Sequence, residues 1–238
     1  MLAKLNLHKI LFLDIETVPL YESFESVPEI EQNYFEEKTA YQRKEEQTPK
    51  EFYEKAGIWA EFGKIICISV GYFTPQQSPR DFRLKSFYGD EFDLLTEFKS
   101  VVDTYFSSSY HLLCGHNAKE FDFPFIARRM LIQGIELPKP LALFNKKPWE
   151  VPHLDTLHLW RFGDYKHYTS LKLMAHILGI PSPKDDIDGS QVATVYYKEK
   201  NLERIVQYCE KDVITVAQII LKLRNAPLLS EKEITLSV

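Results

Sequence analysis

The sequence predicts an α/β fold, a central mixed β-sheet flanked by α-helices in a single domain over residues 1–238. Three observations carry that expectation. Apolar and β-branched runs at 10–14, 65–72 and 83–88 read as strands and come first. Phe92, Leu95, Phe98, Val102 and Phe106 then recur at helical spacing. Beyond them helices interleave with short strands and dominate, the order expected of a sheet covered by helices. At 238 residues, 45% hydrophobic and 26% charged, the chain can bury a sizeable core.

The elements follow in order. Ile10 to Leu13 are apolar and open the first strand. Residues 19–63 are polar, acidic and rich in Tyr, punctuated by Pro28 and Pro49, and read as an insertion of short helices. It either covers a substrate groove, carries a partner surface, or does neither. The second strand holds Gly71 late in its run, and Pro75 to Pro79 form a turn before the third. Residues 111–114 make a short strand ending at Gly115. A helix over 123–133 has Pro124 at its start, where proline fits. Residues 154–159 suit either state. A helix over 170–178 is closed by Gly179 and Pro181, and a short one covers 191–197. The long helix over 202–224 carries an apolar stripe of Leu202, Ile205, Cys209, Val213, Val216, Ile220 and Leu223. Residues 226–238 are left as a C-terminal tail.

Composition excludes several classes. No apolar run reaches the length of a membrane span, so no membrane partner is expected. Lys4, Asn6, His8 and Lys9 break any signal-peptide core. Cys67, Cys114 and Cys209 are odd in number and far apart, which fits buried free thiols and a cytoplasmic location better than disulfides or a zinc site. The net charge of −5 hides an asymmetry. Glutamate dominates 21–61, whereas 119–184 holds ten Lys/Arg against six Asp/Glu. Those cations are either ordinary solvated surface or a face for a phosphate backbone.

The most informative residues are carboxylates. Asp14 and Glu16 are i and i+2, on one face of a strand. Side by side they repel each other, unless a hard divalent cation sits between them; the alternative is a plain strand end. Asp122 follows Asn117 and Phe121 in the loop leading to the 123–133 helix, where an acid also suits helix capping. Tyr208 and Asp212 are i and i+4, sharing a face of the long helix beside its apolar stripe. An acid there needs a partner. Asp155 is either a further acid near the site or an N-cap. Asp185, Asp186 and Asp188 do not make a calcium loop, because Lys184 and Val195 hold its first and last ligand positions. The histidines lack metal-ligand spacing, and most Tyr and Phe read as core.

Taken together, Asp14-x-Glu16, Asn117-x-x-x-Phe121-Asp122 and Tyr208-x-x-x-Asp212 resemble the three motifs of the DEDD class of 3′–5′ exonucleases, in the right order. Gln207 stands where the histidine subclass would have His, so the resemblance is to the tyrosine subclass. The likeness covers about 10–223. Residues 84–188, and Ser182 to Ser190 above all, resemble a bacterial stand-alone group similar to the proofreading exonuclease domain of B-family DNA polymerases.

The resemblance implies a ribonuclease H-like fold and metal-dependent release of 5′-mononucleotides from single-stranded 3′ ends, DNA favoured. It implies two divalent ions, Mg2+ or Mn2+, held by Asp14, Glu16, Asp122 and Asp212. Tyr208 would orient the attacking water. Thr17 would lie near the terminal 3′-hydroxyl, and Asn117 and Phe121 would contact the last nucleotides. Apart from the resemblance, the acidic turn after Lys184 reads as a loop that sets Lys184 near a phosphate. A chain of this length leaves no room for a polymerase, so the enzyme would act alone or be delivered by a partner. Two other readings use the same fold: an exoribonuclease that trims RNA, and a non-catalytic nucleic-acid-binding or scaffold module.

Overall fold

The structure, a computed structural model, describes residues 2–44, 46–75, 80–181 and 187–237. The elements are β1 (Ile10–Pro19), α1 (Glu29–Thr39), α2 (Pro49–Phe52), β2 (Gly63–Phe73), β3 (Phe82–Tyr88), α3 (Glu91–Tyr105), β4 (Leu112–Gly115), α4 (Asp122–Ile132), β5 (Leu154–Asp155), α5 (Thr156–Arg161), α6 (Leu171–Ile177), α7 (Val192–Thr194), α8 (Leu202–Leu223) and β6 (Ile234–Leu236). A 3-10 segment, Tyr53–Ile58, follows α2, and a π-helical turn, Val195–Glu199, continues α7.

The six strands form one mixed sheet in the order β5-β4-β1-β2-β3-β6. β1, β2 and β3 are an antiparallel meander. β4 runs parallel to β1, and β5 parallel to β4. β1 is therefore central, and its alternation decides which layer each side chain joins. Leu11, Leu13 and Ile15 point to the face covered by α3 and α4, where they meet Leu95, Phe98, Val102, Ile126 and Met130. Ile10 and Phe12 point to the opposite face and pack with Val213, Val216, Ala217 and Ile220 of α8. The period of two then carries Asp14 and Glu16 to the α8 side.

Several expectations change in detail. β1 does not stop at Asp14 but runs to Pro19, because Val18 is buried and residues 17–19 pair with 63–65 across a register shift between Glu16 and Thr17. Phe92 leaves the apolar stripe of α3: it is 49% exposed, and Leu94 is buried instead. The ambiguous 154–159 segment is two residues of strand running into α5. Residues 226–238 are more than a tail, since β6 pairs parallel with β3 and Leu229 is buried. Most of the turn expected at 75–79 lies outside the described residues. Residues 21–62 do form short helices, around Phe35, Phe52, Tyr53 and Phe62, with Phe35 meeting Tyr53 and Phe62 edge-on.

A buried ion pair ties α3 to α4. Glu91 accepts from Arg129 Nε (2.8 Å), from Gln133 Nε2 (2.8 Å) and from the Ile65 amide (2.7 Å). Arg129 Nη1 donates to the Ala60 carbonyl (2.9 Å). The network fixes α4, and hence Asp122 at its first residue, against β2. Arg129→Ala would leave a buried, unpaired carboxylate and should cost about 3–5 kcal/mol. Urea unfolding checks this, with Glu91→Leu/Arg129→Met expected to lose less than Arg129→Ala alone.

Candidate metal centre and nucleic-acid cleft

The loop between β4 and α4 is built tightly. Gly115 permits it: a Cβ there would sit 2.5 Å from Ala118 Cβ and 3.1 Å from the Leu13 carbonyl oxygen. Asn117 takes a left-handed conformation, φ 59°, a region asparagine tolerates better than most residues. Asp155 braces the loop from β5. Its carboxylate accepts from the amides of Asn117 (3.0 Å) and Lys119 (3.0 Å), and caps α5 through Leu157 and His158. Asp155 thus caps and braces, and its charge also bears on Asp122, so it is an acid near the site as well.

Asp122 is the first residue of α4 and is not its N-cap; that place belongs to Phe121. The Asp122 carboxyl is buried and accepts from its own amide and from that of Ile15 in β1. Burial dominates those bonds and, with the charges of Asp155 and Asp212, pushes it up to about 8.

Across from it, Asp14 and Glu16 share the α8 face of β1. One carboxylate oxygen from each and Cys209 Sγ lie within 4.8 Å of one another. Cys209 donates to the Asp14 carbonyl (3.4 Å) and to its Oδ2 (3.6 Å). Burial holds that thiol well above its usual range, so it stays protonated and is no ligand for a hard cation. Asp122 and Asp212 are not part of that knot but are within electrostatic reach. Burial first, then the charges of Asp122, Asp212 and Glu16, raise Asp14. Burial and then Asp212 raise Glu16. No cationic side chain figures among the main influences on Asp14, Glu16 or Asp122.

A cavity of about 340 Å3 opens beside these acids, lined by Asp14, Tyr208 and Asp212 with His116, Tyr168 and Lys172. The Tyr208 hydroxyl is raised far above its ordinary range by burial and by Asp212, Glu16 and Asp14. A second cavity, about 640 Å3, is lined by Thr17, Lys55, Ile58 and Ser190. Asp188 borders the first cavity, and Gly189 and Ser190 the second. The Thr17 hydroxyl donates to the Gly57 carbonyl (2.7 Å). Phe121 is half-buried against Phe125, ring centroids 5.4 Å apart.

The structure thus brings Asp14, Glu16, Asp122, Tyr208 and Asp212 to one region and sets Thr17 at its edge. Lys184 lies outside the described residues. His116 and Tyr168 were missed by the sequence reading, because neither belongs to a motif and a lone ring carries no spacing signal. The donor set fits hard divalent cations: clustered carboxylate oxygens, with Glu16 and Asp122 buried and Asp14 and Asp212 open to the cavity.

Without metal, the sign of the pH dependence follows from Asp122. Its carboxyl is neutral in the folded chain up to about 8 but ionises near 3.8 when unfolded. Asp14 and Glu16 shift the same way. The unfolded state therefore releases protons first, and stability falls as pH rises from about 4 to about 8. In chelator, Tm should be lower at pH 8 than at pH 5, and Asp122→Asn should flatten that slope.

A model of the RNase H superfamily matches residues 53–224. No curated protein sequence matches the chain. Among solved structures, the fold is similar to that of the family B DNA polymerase from the hyperthermophilic archaeon Pyrobaculum calidifontis. The TM-score is 0.54 at 15% identity, and the alignment covers 91% of this chain and 24% of the polymerase. The chain thus spans about a quarter of that polymerase's length. At this identity the likeness speaks of fold alone. The superfamily match covers most of the chain and runs from the 3-10 segment to the end of α8; the chain belongs to the RNase H superfamily.

Proposed function

We propose that the protein is a 3′–5′ exonuclease of the DEDD class, tyrosine subclass, acting on single-stranded nucleic acid with DNA favoured. The observation that carries this reading is the convergence of three separate motifs: Asp14 and Glu16 from β1, Asp122 from α4, and Tyr208 and Asp212 from α8. Their charges act on one another across those elements.

In this reading Asp14, Glu16, Asp122 and Asp212 hold two divalent ions, Mg2+ or Mn2+. When bound, the ions activate water and stabilise the leaving oxygen. The chain's own residues do the rest. Tyr208 is a poor base near neutrality, since a free tyrosine ionises at about 10 and, before metal binds, burial and the charges of Asp212, Glu16 and Asp14 oppose its phenolate further. It therefore orients the attacking water and is not the base that deprotonates it. The Thr17 hydroxyl has spent its proton on Gly57, which leaves its oxygen free to accept from a terminal 3′-hydroxyl. Asn117 and Phe121 sit on the braced loop and meet the last nucleotides, Phe121 by stacking. Lys184 is assigned to a phosphate. The domain extends over 1–238, with 19–63 as an insertion whose Lys55 and Ile58 wall the cavity beside Thr17.

The test is Mn2+- or Mg2+-dependent shortening of a 5′-labelled single-stranded DNA beside the same RNA. A metal-dependent ladder is expected, faster on DNA. Asp14→Ala should abolish it, and Tyr208→Phe should slow it about 10- to 1,000-fold without abolishing it. Faster RNA shortening would favour the exoribonuclease, and metal binding with no shortening of either strand would favour a binding module.

A further inference from the structure

Beside the acid cavity, three aromatic rings on one short loop face solvent. Phe162 is 87% exposed, Tyr165 72% and Tyr168 64%. Exposed apolar surface gathered in one place marks a contact. Tyr168 belongs to the cavity itself, sharing its wall with Asp14, Tyr208 and Asp212.

The loop is held from behind. His116 Nε2 lies 3.0 Å from the Thr169 carbonyl oxygen and Nδ1 2.9 Å from Thr156 Oγ1. A carbonyl only accepts, so Nε2 carries the proton. The His116 ring meets Tyr168 edge-on at 6.3 Å. Arg161 Nη1 donates to Glu120 (3.0 Å), and its guanidinium lies 5.5 Å over the Tyr165 ring. Phe162 sits at φ 45°, ψ 32°, a left-handed conformation that a bulky residue rarely adopts. Its ring is in water, so core packing does not account for it. Exposed Lys166 on the loop and Lys172 on the cavity wall bring positive charge beside the rings, while Arg161 is paired with Glu120 and Asp164 lies 3.1 Å from His167.

We infer that residues 161–168 are a stacking platform for bases of the single strand just 5′ of the scissile bond, with Tyr168 nearest the acids and Tyr165 and Phe162 further out. The inference rests on the single-strand reading of the site. The rings offer faces on which bases stack, and Lys166 and Lys172 offer charge to the phosphates. Continuity with the acid cavity selects a nucleic-acid strand over a protein partner. Stacking of this kind tolerates any sequence, which suits an enzyme that removes whichever nucleotide comes last.

The test measures binding of a fluorescent deoxythymidine 10-mer without added metal, together with Mn2+-dependent cleavage of a dinucleotide too short to reach Phe162. In Phe162→Ala/Tyr165→Ala the 10-mer should bind at least about tenfold more weakly, with dinucleotide cleavage unchanged. Phe162→Trp/Tyr165→Phe should bind as the wild type does. Phe162→Gly relieves the left-handed backbone, so its Tm should hold while its affinity falls. Wild-type affinity in the double alanine variant would overturn the platform and leave the exonuclease reading standing. A wild-type chain that neither binds nor shortens a single strand would overturn both.

Discussion

The fold is arranged around one electrostatic problem: several carboxyls are kept close together, two of them, Glu16 and Asp122, buried. Burial alone disfavours their ionised form, and each charge raises its neighbours further. A sheet offers an economical way to impose this. Once Ile10 and Phe12 are committed to the α8 layer, the strand period leaves Asp14 and Glu16 no other direction. The same helix that covers Phe12 then delivers Tyr208 and Asp212.

Asp122 has the harder route, since it must arrive from the other helical layer. Three supports place it. Gly115 lets the loop pass against Leu13, Asp155 satisfies the loop's amides, and the Glu91–Arg129 pair anchors α4 two turns further on. None of these groups belongs to the four acids of the motifs, yet each fixes the distance at which Asp122 meets β1. The buried Glu91–Arg129 pair is a registration device as much as a source of stability, because its bonds reach α3, α4, β2 and the carbonyl of Ala60 at once.

Much of this was legible in the sequence because the signals were periodic or local. The i, i+2 acids on an apolar strand and the i, i+4 pair on a long amphipathic helix report their faces directly. What stayed hidden depends on long-range contact. β6 exists only because β3 offers it an edge, so no pattern within 226–238 announces it. Asp155 reads from sequence as an acid near the site or a cap, and only the folded contacts show that it is both. Val18 extends β1 because β2 continues beside it. His116 and Tyr168 reach the cavity through the packing of α5 and the loop that follows, which no spacing rule encodes.

The central claim is that the clustered carboxyls form a site for divalent cations. It is tested most directly by following thermal unfolding at pH 8 as Mn2+ is added to the chelated protein. A cation that neutralises the cluster binds only the folded state. At about a hundred times its Kd it should raise Tm by roughly 5–10 °C, and Asp14→Asn should lose most of that shift. A wild-type Tm indifferent to Mn2+, or an equal shift in Asp14→Asn, would contradict the account.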